Sequence, residues 1–114
     1  MMQMQDYKGA IKDFDVLIEL EPWNYFHFLL RGLCKHMINE QENAIKDFDQ
    51  SISMYPNAIE TYYFRGIAKR IIGDEIGALK DLRGKGMNFE RPGNALNYYF
   101  SKHNYYMDKA STYN

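Results

Sequence analysis

Only one cysteine, Cys34, stands among 114 residues, so an internal disulfide is excluded. No apolar run approaches the roughly 20 residues needed to cross a bilayer. The opening residues, Met1 to Asp6, lack the charged and apolar regions of a signal peptide, and cytoplasm is the default expectation. Neither charge sign dominates: the net charge is -1, with Lys and Arg interleaved among Asp and Glu. A basic field that would draw in nucleic acid or an anionic membrane is therefore missing. There is no glycine-rich phosphate loop and no Gly-x-Ser-x-Gly turn. His27, His36 and His103 share no ligand spacing, so neither metal nor cofactor is expected. Asp13 and Asp15 flank Phe14, but carboxylates two apart on a helix point in different directions. An enzyme is not expected. Disorder is excluded too, because hydrophobic residues make up 46% and aromatics 16% of the chain.

What is present is repetition. Ala10-Ile11-Lys12-Asp13-Phe14-Asp15 returns unchanged 34 residues later as Ala44-Ile45-Lys46-Asp47-Phe48-Asp49. A decayed copy, Ala78-Leu79-Lys80-Asp81-Leu82-Arg83, follows after another 34. Phe28, Arg31, Gly32 and Lys35 return on the same beat as Tyr62, Arg65, Gly66 and Lys69. A fixed period of this length implies one supersecondary unit stacked several times.

Within each unit the apolar residues recur at three- and four-residue steps, which predicts helices over 7–20, 25–38, 41–54, 58–72, 75–85 and 94–109. Asp6 suits the N-cap of the first, and Pro22 and Pro56 close off the first and third. Residues 25–38 are apolar nearly all round, so that helix should meet protein on more than one side. Asn39 and Gly73 occupy equivalent places and suit the left-handed conformation that ends a helix.

Helix pairs with this spacing resemble tetratricopeptide repeats. Phe28, Gly32, Ala44, Phe48 and Pro56 carry the family pattern in one repeat, and Tyr62, Gly66, Ala78 and Leu82 carry it in the next. Tyr7, Ala10, Phe14 and Pro22 supply the second half of an earlier one. Arg31 and Arg65 depart from the usual aliphatic residue, and Lys35 and Lys69 from the usual aromatic. The resemblance implies an all-α fold, a right-handed α-solenoid of antiparallel helix pairs with a C-terminal capping helix. Residues 1–114 then form a single domain: 6–24 the second half of a repeat, 25–58 a full repeat, 59–91 a divergent full repeat, and 92–114 a capping helix and tail.

Gly32 and Gly66, with Ala44 and Ala78 opposite, should permit close approach of the two helices in a repeat, and Phe48 should fill the space beyond. Cys34 stands where Ala68 stands in the next copy, a small core slot. Each repeated Arg lies on an inward stripe and requires an acceptor. Contacts from Arg31 to Asp13 or Asp47, and from Arg65 to Asp47 or Asp81, would form a ladder fixing register.

The resemblance also implies a concave groove lined by the first helix of each repeat. Its positions here are Phe26, Leu29, Leu33 and His36, then Glu60, Tyr63, Ile67 and Arg70. Family members that clamp a C-terminal carboxylate use Lys and Asn at several of these places. Leu29, Leu33, Tyr63 and Ile67 argue against that use here. The expected function is a protein–protein interaction scaffold that binds a peptide or helix of a partner in this apolar groove, with nucleic acid and membrane not expected as partners. One alternative is a self-associating structural fragment of a longer array, motivated by the open edge of the first helix. A further alternative is an RNA-binding helical repeat, which Leu29, Leu33 and Ile67 oppose because base reading needs polar side chains. The aromatic stripe of residues 98–107 is expected to cap the last repeat or to provide a second contact surface.

Overall fold

A computed structural model of the chain describes residues 6–83, and every regular element among them is an α-helix. They are α1 (Tyr7–Leu20), α2 (Tyr25–Met37), α3 (Gln41–Met54), α4 (Ile59–Ile71) and α5 (Glu75–Arg83). The predicted helix over 94–109, its capping role, the tail and the aromatic stripe of 98–107 lie outside the described residues. So do residues 84 and 85 of the expected fifth helix.

Side-chain caps fix several helix starts. Asp6 accepts from the Gly9 amide at 3.1 Å, Asn24 from the Phe26 amide at 3.1 Å, and Asp74 from the Gly77 amide at 2.9 Å. The helix ends repeat with the sequence period. After α2 the Glu40 amide donates to the Lys35 carbonyl at 2.8 Å; after α4 the Asp74 amide donates to the Lys69 carbonyl, also at 2.8 Å. These six-to-one bonds need a left-handed residue between, supplied by Asn39 (φ 63°) and Gly73 (φ 93°). The α1–α2 and α3–α4 turns match in the same way. The Asn24 amide donates to the Glu21 carbonyl at 3.0 Å, and the Ala58 amide to the Tyr55 carbonyl at 3.1 Å. The 34-residue period is thus written in the backbone as well as the side chains.

Consecutive helices pack on one another, and α2 also reaches α4. The core joins Ala10, Phe14 and Leu17 of α1, Leu29, Leu30, Leu33 and Cys34 of α2, Ala44 and Phe48 of α3, and Phe64 and Ala68 of α4. As its nearly continuous apolar surface predicts, α2 is enclosed from more than one side. Ala10, Ala44 and Ala78 are all buried, so the three copies place the small residue alike. A Cβ on Gly32 would stand 2.6 Å from the Phe48 ring, and one on Gly66 would stand 2.9 Å from Leu82 Cγ. Small against large, at equivalent places, sets the helix separation within each pair.

Candidate functional site

Two groups of polar or exposed side chains repeat along the chain. The first is an arginine clamp. The Arg31 guanidinium donates from Nε and Nη2 to Asp47 at 2.9 and 2.7 Å, and from Nη1 to Asp15 at 2.8 Å. Arg65 does the same with Asp81 at 2.8 and 2.7 Å and with Asp49 at 2.9 Å. Lys35 adds a contact to Asp47 at 3.0 Å, and Lys69 one to Asp81 at 3.2 Å. Each guanidinium also lies over the aromatic ring three residues before it, Arg31 over Phe28 and Arg65 over Tyr62.

The expected partners Asp47 and Asp81 are therefore found, but the partner from the preceding helix is Asp15 or Asp49. Sequence reasoning passed over those two; the shared spacing of 16 residues on either side of each Arg was the available signal. The electrostatics follow the geometry. Burial alone would lower the pKa of Arg31, yet Asp47 and Asp15 outweigh it and hold the guanidinium charged. Asp81 moves below the usual carboxylate range: burial pushes it up, and Arg65 with Lys69 more than reverses that. Asp13, equivalent to Asp81 in sequence, moves upward instead, through burial and then repulsion from Asp6.

The second group comprises the expected groove positions, which lie on α2 and α4, helices in mutual contact. Arg70 is exposed, while Phe26, His36, Glu60, Tyr63 and Ile67 are partly buried. Leu29 and Leu33 depart from the expectation of an apolar surface: they are 0% and 1% exposed and belong to the core. The all-round packing of α2 consumes them. Phe26 and Tyr63 flank the core they help to form. Burial raises the Tyr63 pKa, partly opposed by Arg70. His36 is tied into the α2–α3 turn, its Nδ1 2.8 Å from Gln41 Oε1, while Gln41 Nε2 donates to the His36 carbonyl at 3.2 Å. The surface left for contact is a mixed strip of Phe26, Glu60, Tyr63, Ile67 and Arg70, with His36 at its margin.

Two buried groups belong to the scaffold. Cys34 is 1% exposed, and burial pushes its thiol up to about 12, far from the thiolate range. His27 is fully buried with Nε2 2.7 Å from Glu21 Oε1, a contact that braces the α1–α2 turn and that sequence spacing did not suggest. Among the described residues no three His, Cys, Asp or Glu side chains gather in a way that could hold a metal ion. No described helix is long and apolar enough to cross a membrane. An open pocket is lined by Asn39, Glu40, Gln41, Glu42, Asn43, Ile71 and Ile72, at the α2–α3 turn and the end of α4. No protein-family description matches the chain, and comparison with curated proteins finds no match.

Proposed function

We propose that this chain is a stacked helical-repeat scaffold of tetratricopeptide type, a right-handed solenoid of antiparallel helix pairs that binds a segment of a partner protein. The observation that carries this reading is the duplicated clamp, in which Arg31 and Arg65 make the same three contacts at nearly the same distances. Each Arg joins the second helix of its own unit to the second helix of the unit before. The polar machinery is thus spent on holding units in register, and the side chains that remain serve recognition.

The binding surface in this reading is the strip of Phe26, Glu60, Tyr63, Ile67 and Arg70. The partly buried aromatics Phe26 and Tyr63 give it affinity, because they are packed against the core behind them. Glu60 and Arg70, opposite in charge near the two ends of α4, give it direction. An amphipathic helix or an extended aromatic-rich segment has the matching chemistry. Leu29 and Leu33 support this surface from beneath.

The test is capture of partners on immobilised wild-type chain and on a Tyr63→Ala, Ile67→Ser variant with unchanged helical circular dichroism. Partners retained by the wild type should be lost by the variant. Equal retention by both would remove the strip as the binding surface.

A further inference from the structure

We propose that the strip on α2 and α4 is occupied within the chain by residues 94–109, which a partner must displace, an inference that rests on the strip's being the recognition surface. The chain leaves α5 at Arg83, and α5 packs against α4, which carries Glu60, Tyr63, Ile67 and Arg70 of the strip. Ten residues, 84–93, separate Arg83 from Asn94, and they include Gly84, Gly86, Pro92 and Gly93. A linker of that length spans at most about 35 Å, whereas neighbouring helices lie about 8–10 Å apart. The strip is therefore within reach. So short a tether holds the segment at an effective concentration on the order of millimolar, enough to seat a weak ligand.

The sequence of the segment separates it from the repeats. Continuing the 34-residue period past α4 sets Lys102 where α2 has Cys34 and α4 has Ala68, which are 1% and 0% exposed. A slot that admits a thiol or a methyl group does not admit a lysine. Tyr99 likewise stands where the clamp needs Arg31 or Arg65. Residues 94–109 are thus no third copy of α2 and α4, and stacking in their register on α5 is closed to them. Their own pattern is aromatic: Tyr98 and Tyr105, and Tyr99 and Tyr106, recur seven residues apart, which on a helix makes one aromatic side. The strip has the matching chemistry in Phe26 and Tyr63, packed on the core behind them, with Ile67 one turn beyond Tyr63. Charge sets the direction. On α4 Glu60 precedes Arg70, and in the segment Lys102 precedes Asp108. A segment lying parallel to α4 brings opposite signs together at both ends, and a reversed one brings like signs together. Lys109 points roughly 100° away from Asp108 on such a helix.

The probe is a fluorescent peptide of residues 94–109, and its binding to the full chain is measured by anisotropy. A full-chain variant with Tyr98, Tyr99, Tyr105 and Tyr106 all changed to Ser should bind it at least about tenfold tighter than the wild type, whose own segment competes. Adding Tyr63→Ala and Ile67→Ser to that variant should abolish the gain. Equal affinity for wild type and variant, no binding to either, or a gain that survives the strip substitutions would each overturn the proposal. So would a gain lost on Leu79→Ser instead, since that would seat the segment on α5. A second measurement needs no disabled segment: benzoylphenylalanine at position 67 of the purified chain should form an intramolecular adduct with residues 94–109, read by mass spectrometry of a digest. Its absence would overturn the proposal. Capture of partner proteins then separates this inference from the reading beneath it. The four-serine variant should retain more partner than the wild type. Equal capture by both would leave the strip a binding surface and remove its internal occupant; an internal adduct with no partner captured by either would support the occupant and remove the partner.

Discussion

Arg31 and Asp47 meet side by side, Nε to Oδ2 at 2.9 Å and Nη2 to Oδ1 at 2.7 Å, so the guanidinium and the carboxylate share a bidentate contact. Arg65 and Asp81 repeat it one period later. The acceptor is the buried partner, with 6% of the Asp47 side chain exposed against 19% for Arg31. Removing the donor therefore strands a carboxylate inside the protein, which is costlier than losing a surface pair.

Arg31→Ala and Arg65→Ala should each lower stability by about 1–4 kcal/mol, because each leaves a buried aspartate with only a lysine. Asp15→Ala should cost at most about 1 kcal/mol, since 54% of that side chain is exposed. Urea unfolding followed by circular dichroism measures all three. A cost for Asp15→Ala equal to that for Arg31→Ala would show that the two halves of the clamp are alike.

Acid should weaken the clamp. The pKa of Asp81 is depressed in the folded chain, so it binds fewer protons folded than unfolded, and its contribution is complete above its ordinary range. That contribution is lost as pH falls below about 5 and through the depressed folded value. The slope of unfolding free energy against pH in this window should flatten in Asp81→Asn. An unchanged slope would assign the acid sensitivity to other carboxylates.

Gly32→Ala should be destabilising by about 1–3 kcal/mol despite the better helix propensity of alanine, because its Cβ would stand 2.6 Å from the Phe48 ring. Combining it with Phe48→Leu should recover part of the loss. Additive losses in the double variant would mean that the ring is not the obstacle.

Cys34 should resist modification. With the thiol buried and its pKa near 12, an aromatic disulfide reagent at pH 8 should react at least about a hundredfold faster in urea than with the folded chain. Equal rates would show that the core around α2 opens readily.

Much of this architecture was legible in the sequence because each signal came more than once. Helix starts and stops were fixed by Asp6, Pro22, Asn39, Pro56 and Gly73, and the described helices fall within a residue or two of the expected bounds. The register partners Asp47 and Asp81 were readable because a buried arginine demands an acceptor. Asp15 and Asp49 were not, since sharing one guanidinium between two helices depends on the angle at which units stack. The groove was the weaker inference. The family resemblance implied Leu29 and Leu33 as lining residues, but a resemblance carried over position by position does not say how many neighbours enclose a helix. Enclosure by several elements turned those two into core.

The central claim is that the strip around Tyr63 meets a partner protein, and photo-cross-linking tests it most directly. Benzoylphenylalanine placed at Tyr63, on the strip, and at Lys46, exposed on α3, should behave differently in cells. The account predicts discrete cross-linked species of higher mass from position 63 and none of them from position 46. No adduct at position 63, or the same adducts at both, would contradict it.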